Sequence, residues 1–275
     1  MIKDSHIGKL NKNKIERINI MKVTMLTHTP EPEKLIAMAA KLCYSSTDVA
    51  TLESGLTDEK IKSFLDMLMS IGHESPLEHV SFTFAIEGIS RACSLQLVRH
   101  RIASYSQQSQ RYVTMNNFKY VIPPNITEYG LEEDYVAMMN DLRDKYEYIQ
   151  KKLTEKLVEK EGNNDNKTIK KCEKIANEDA RFILPNACET SIIVTMNIRS
   201  LYNFFEHRMC NRAQWEIREL AWEMWKQCVE VSPTLFKHAG PPCTHGGCPE
   251  GKMSCGQVFE IREIHSDLFN KFTTK

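Results

Sequence analysis

Arg99-His100-Arg101, followed after seven residues by Ser109-Gln110-Arg111, crowds cationic groups into a short span of chain. Adjacent cations repel one another unless an anion lies between them. No Asp or Glu occurs from Gly88 to Asn117, so the neighbouring chain supplies no acidic partner. An external anion is therefore expected, and guanidinium forks suit phosphate because they donate two parallel hydrogen bonds. A helix ending just before Arg99 would also favour cations there through its dipole. Ser109 has the chemistry of a nucleophile, but it needs an activating base, and the nearest histidine in sequence is His100. A hydrogen-bonding role for Ser109 is the preferred reading.

Two other clusters carry ligand-type side chains. His73-Glu74-Ser75-Pro76-Leu77-Glu78-His79 could bind metal, yet Pro76 breaks the helix that a one-face His pair requires. The competing reading is a capped turn in which Glu78 and His79 bond nearby backbone. Cys243, Cys248 and Cys255, with His245 among them, are closely spaced but do not form the usual paired Cys-x-x-Cys knuckle. A small zinc site completed by Cys210 or His245 and a set of ordinary reduced cysteines both remain open.

Composition limits the partners. The chain has 275 residues, 41% hydrophobic and 26% charged, with zero formal net charge. That balance argues against a general nucleic-acid coat and makes any phosphate site local. Nine cysteines without an evident signal peptide predict a reducing cytoplasm. Residues 1–20 read as a flexible N-terminal extension, 21–236 as one folded domain, and 237–275 as a Cys-rich tail.

The elements that must position these residues follow from periodicity. A strand opens at Met21. Glu31-Pro32-Glu33 starts a helix with Leu35, Ile36, Met38, Ala39 and Leu42 on one stripe, and Thr57 to Gly72 forms a second. Val80 to Ile86 alternates as a strand, and a helix from Ile89 delivers Arg99 near its end. Leu131 to Glu161 is a long helix with its stripe on Tyr135, Met138, Leu142, Tyr146, Ile149, Leu153 and Leu157. After the turn 162–166, a helix from Thr168 reaches Leu184-Pro185. Thr190 to Met196 is a strand, and helices follow at Ser200–Arg208 and Arg212–Val231. The last is apolar on more than one face, which predicts contact with another subunit. An α+β fold is expected.

Gly-rich dinucleotide and P-loop patterns and the Gly-x-Ser-x-Gly elbow are all absent, so any phosphate must be held by side chains. Arg99-His100-Arg101, seven residues, then Ser109 resembles the signature of the flavin-dependent thymidylate synthases, the ThyX family. The His73 to His79 block, Ala180-Arg181-Phe182-Ile183-Leu184-Pro185, Asn197-Ile198-Arg199-Ser200-Leu201, and Arg208 with Ala213-Gln214-Trp215-Glu216-Ile217-Arg218 resemble further family blocks in family order. The resemblance spans about Met21 to Phe236.

What the resemblance implies is a ThyX-like fold of helices around a central, mainly antiparallel sheet, assembled as a homotetramer with sites shared between chains. The implied reaction is reductive methylation of dUMP to dTMP. Methylenetetrahydrofolate supplies the carbon, NADPH the electrons, and FAD carries the hydride. His73, Ser75, Glu78, Arg99, His100, Arg101, Asn197 and Asn203 are the implied flavin contacts. Gln96, Gln107, Gln108, Ser109, Gln110, Arg111, Arg181 and Arg208 are the implied dUMP set, with Arg208 on the uracil and Ser109 beside it. At an effective dielectric near 20, one charge pair at ~4 Å contributes roughly 4 kcal/mol before desolvation. Arg212 and Cys43 stand where some members have histidine and serine, which leaves their flavin contacts open. A competing reading is a noncatalytic nucleotide or RNA binder that stacks bases on Tyr105 and Tyr112; a third is a zinc-organised interaction protein.

Overall fold

A computed structural model describes residues 21–274, and the first twenty residues, read above as a flexible extension, lie outside the described residues. Contacts gather the chain into two compact units, Met21–Ser109 with the chain from Thr190 onward, and Gln110–Glu189.

The larger unit begins with β1 (Lys22–His28), α1 (Pro32–Leu42), α2 (Val49–Ser54) and α3 (Asp58–Ser70). Thr57 caps α3 by accepting from Lys60 N, as its position before an acidic first turn predicts. A short 3-10 turn, Ser75–His79, leads into β2 (Ser81–Ser90). Phe82, Phe84 and Ile86 of β2 are fully buried and the residues between them only partly so, which is the alternation read from the sequence. Next come α4 (Arg91–Leu97) and β3 (Ala103–Gln107). α4 stops at Leu97, so Arg99 lies just past the helix rather than in its last turn.

The smaller unit contains α5 (Pro124–Glu128), α6 (Glu132–Glu161) and α7 (Asn166–Ala180). α6 and α7 pack as a hairpin, with Asp165 capping α7 through Thr168 N. The expected stripe of α6 is corrected in phase. Met139, Tyr146 and Gln150 are buried, whereas Met138 and Ile149 are exposed, because the hairpin and its small core meet the neighbouring face. That core is Met115, Phe118, Tyr146, Ala180 and Cys188, and the Tyr146 hydroxyl accepts from Met115 N at 3.1 Å.

β4 (Glu189–Asn197) returns the chain to the larger unit, followed by α8 (Ile198–Arg208), α9 (Trp215–Val231), α10 (Pro233–Phe236) and α11 (Val258–Thr273). The sheet order is β1-β2-β4-β3, with β1 antiparallel to β2 and β3 antiparallel to β4. The expected α+β class, helices around a small antiparallel sheet, is what the structure has. Free backbone at the β1 edge is partly covered by Gln227 of α9, whose side chain accepts from Met25 N and donates to Val23 O.

One face of β2 and β4 packs on α1, α3, α8 and α9, joined by Trp225, Phe204, Phe205 and Phe236 in a single core. Part of the second apolar face of α9, expected from sequence to meet another subunit, packs against the same chain. α11 packs on α9, and the His265 ring lies 4.5 Å from Trp225 and 6.2 Å from Trp222. Trp225 also donates its Nε1–H to Phe236 O at 3.0 Å. Trp225→Ala removes that bond and opens a cavity, and urea denaturation is expected to show a loss of about 3–5 kcal/mol.

Candidate functional site

α8 organises the expected flavin residues. Asn197 is its N-cap, with Oδ1 accepting from Ser200 N at 2.8 Å, so one of the residues carried over as a ligand contact also has a structural task. Arg199 bonds Glu78 through Nη1 and lies 3.4 Å from Glu74 through Nε, which ties the His73 loop to the start of the helix. Glu78 thus pairs with a side chain and not with local backbone. The loop is a 3-10 turn anchored by fully buried Leu77, while His73 is exposed and stacks on Tyr44 at 6.5 Å. Ser75 opens that turn and is exposed.

One turn along α8, the Ser200 hydroxyl donates to Ile102 O at 2.9 Å. Ile102 follows the arginine motif at φ 24°, in the left-handed region that a β-branched residue rarely adopts. Strain of this kind costs about 1–3 kcal/mol and persists only where neighbours impose it. Both Arg99 and Arg101 project from this turn as exposed side chains, and neither has a hydrogen-bond or ion-pair partner among the described residues.

His100 points inward between them. Arg208 Nε donates to its Nε2 at 2.9 Å, and the edge of Phe204 meets its ring at 5.0 Å. An acceptor at Nε2 is a neutral imidazole carrying its proton on Nδ1. Burial first and the Arg208 charge second push its pKa down to about 4, against a smaller upward pull from Asn203. The Tyr105 hydroxyl lies 2.9 Å from Leu97 O and 2.8 Å from His100 O, and its one hydrogen is shared between them. Burial raises that phenol to about 12, so it remains a donor. Because Tyr105 packs against the core, its ring is not the open stacking platform that an RNA-binding reading needs.

Behind α4 lies a group the motif does not announce. Ser90 N and Oγ each donate at 2.6 Å to the buried carboxylate of Glu216, while Ser90 Oγ accepts from Cys93 N to cap the helix. Burial raises the Glu216 carboxyl against those two bonds. Burial and then Glu216 push the Cys93 thiol up, which keeps this cysteine protonated and unsuited to nucleophilic work.

Residues expected to hold dUMP divide between the units. Within the larger one, Gln107 Nε2 donates to Ser94 Oγ at 2.9 Å and Thr190 Oγ1 at 3.2 Å, and Gln108 N to Ser191 O at 3.0 Å. Gln96 lies in the last turn of α4, Ser109 is partly buried two residues beyond β3, and Arg208 ends α8. Within the smaller one, Arg111 meets Glu178 Oε2 at 2.9 Å and Arg181 Nε donates to Glu178 O at 3.2 Å. Gln110 Nε2 lies 3.8 Å from Cys188 Sγ. The lack of an acidic partner seen in the local sequence persists in the fold for Arg99 and Arg101 among the described residues, whereas Arg111 finds Glu178 of α7. Glu178 and Ser94 carried no spacing signal; only the fold brings them to these positions.

The two open departures are also placed. Arg212 is exposed and donates to Met253 O at 2.8 Å, and the exposed Cys43 thiol lies 3.6 Å from Ala39 O. Among the described residues no three His, Cys, Asp or Glu side chains stand as a ready-made metal cage.

The fold is α+β, with exposed Arg99 and Arg101 just past α4 and no glycine-rich phosphate loop in the sequence. A family model described as thymidylate synthase complementing protein matches residues 24–234. A flavin-dependent thymidylate synthase of Clostridium tetani is 52% identical over 89% of this chain and 97% of the relative. Similar proteins of the same name from Geobacter sulfurreducens and Nitratidesulfovibrio vulgaris are 47% and 46% identical, covering 90% and 86% of this chain and 99% and 94% of theirs. The chain belongs to the thymidylate synthase complementing protein family.

The His100 contacts generate a measurement. Imidazole NMR should place its titration near pH 4. In Arg208→Met the midpoint should rise yet stay below the ordinary ~6.5, because burial, the larger cause, remains.

Proposed function

We propose that the chain is a flavin-dependent thymidylate synthase that converts dUMP to dTMP by reductive methylation. FAD, methylenetetrahydrofolate and NADPH are its cofactor and co-substrates, and it works in the cytoplasm as a homotetramer. The observation that carries this reading is the pairing of Arg208 with a neutral His100, inside an arginine motif whose outer members are exposed. Names of relatives that match nearly their whole length support the same reading.

Arg99 and Arg101 fit a flavin with its diphosphate: they are exposed guanidiniums without a carboxylate partner among the described residues, beside a neutral imidazole. His73, Ser75, Glu78, Asn197 and Asn203 complete that set around α8. Bound FAD supplies the hydride that completes the methyl group. Exposure of His73, Arg99 and Arg101 suits a site completed by a second copy of the chain.

For dUMP, Arg111 and Arg181 neutralise the phosphate. Glu178 orients them through its carboxylate and its backbone carbonyl, respectively. Gln107, Gln108, Ser109 and Gln110 line the nucleotide with Gln96. Arg208 has its Nε committed to His100, which leaves its terminal amino groups for the uracil. There it stabilises the enolate-like charge that develops as C5 becomes nucleophilic. Ser109 positions the ring. Buried, protonated Cys93 takes no part as a nucleophile.

Purified protein supplied with dUMP, methylenetetrahydrofolate, NADPH and FAD without oxygen is expected to form dTMP. A flavin-loaded preparation that forms none overturns the proposal. Arg181→Ala should raise the dUMP dissociation constant at least about tenfold, a loss of ~1.4 kcal/mol. Flavin affinity should stay within about twofold, and equal losses for both ligands in parallel titrations contradict the assignment.

A further inference from the structure

The segment from Cys243 to Gln257 holds a single large aliphatic side chain, Met253, and that one is 57% exposed. Chain of this composition cannot bury enough apolar surface to order itself, and natural proteins fix such segments with disulfides or a metal. Yet the segment is closely fastened to the loop that follows α8. Asn211 Nδ2 donates to Gln257 Oε1 at 2.7 Å, and Arg212 Nη1 donates to Met253 O at 2.8 Å. These two bonds bring Cys210, the residue before Asn211, against the stretch that contains Cys255. From α11, Arg262 donates to Cys243 O and Gly246 O, both at 2.7 Å, closing the turn flanked by Cys243 and Cys248.

These bonds bring together the stretches of chain that carry Cys210, Cys243, Cys248 and Cys255, although among the described residues no three of these side chains stand as a ready-made cage. None of the four is in a disulfide. The alternative ligand, His245, is turned elsewhere: its ring lies 5.8 Å from His265 and 6.1 Å from His238. Cationic Arg212, Arg262 and Lys252 surround the cluster in sequence and contact, as a site of net negative charge requires.

We propose that Cys210, Cys243, Cys248 and Cys255 bind one zinc ion that clamps the C-terminal segment onto the loop after Arg208. Ligation requires four sulfurs at ~2.3 Å from the metal, so the cage closes as the metal enters. Four Zn–S bonds form, four S–H bonds break, and the four protons go to solvent with no change of oxidation state. The clamp is structural, since four protein sulfurs leave no open position for substrate.

The test is the metal content of the full-length protein, reduced and purified without chelators, a readout that does not depend on thymidylate synthesis. Mass-spectrometric elemental analysis is expected to find about one zinc per chain, released in step with mercurial titration of four thiols. Cys248→Ser and Cys255→Ser should each retain less than about a tenth of that zinc, while Cys43→Ser, outside the cluster, keeps it. Wild-type protein that carries no zinc as purified and takes up none after reduction and incubation with zinc overturns the proposal, as does a native disulfide among the four. If the serine variants fail to fold, the wild-type release titration still decides.

Discussion

Helix α8 is the constraint on which the rest of the candidate flavin site depends. Its inner face, Ile198, Leu201, Phe204 and Phe205, is fully buried in the main core, so the helix cannot shift without opening that core. Its other positions are then fixed in direction by helical periodicity. Arg199 holds the His73 loop, Ser200 holds the carbonyl of a strained Ile102, and Arg208 holds His100. Three segments distant in sequence are registered against one rigid rod, which is how a site built on loops acquires precision.

Electrostatics within the larger unit follow from the same packing. His100 sits among cationic neighbours and would be costly to protonate, so burial and Arg208 keep it neutral at physiological pH. That neutrality removes one of the like charges apparent in the sequence and leaves Arg99 and Arg101 as exposed cations without a carboxylate partner among the described residues. Ser90 and Glu216 anchor α4 from behind, with a buried carboxylate whose two hydrogen bonds offset part of its desolvation. In the smaller unit Glu178 orders two arginines at once, Arg111 through its carboxylate and Arg181 through its backbone carbonyl.

Much of the fold was legible because burial imposes a period. β2, β4, α1, α3 and the extent of α6 each follow from an unbroken apolar pattern flanked by caps or turns. β3 was missed because Ala103-Ser104-Tyr105-Ser106-Gln107 is a polar edge strand that pairs on one side only. α11 was missed behind the cysteines, although Ile261, His265, Leu268 and Phe272 recur at helical spacing. In α6 the period was right and its phase wrong, since which face meets α7 is a tertiary matter. The apolar excess of α9 was real, and α11, which the sequence reading did not place, packs on part of it.

The arginine motif, its neutral surroundings and the lack of a glycine-rich loop determined, from sequence alone, that any phosphate ligand must be met locally by side chains. Residue type and spacing suffice for that, because charge and donor geometry are properties of the side chains themselves. Which of the cations remain available was decided only by the fold. Glu178 reaches Arg111 from 67 residues away, and Arg208 reaches His100 from 108. Protonation state depends on burial and on partners that no local window of sequence contains.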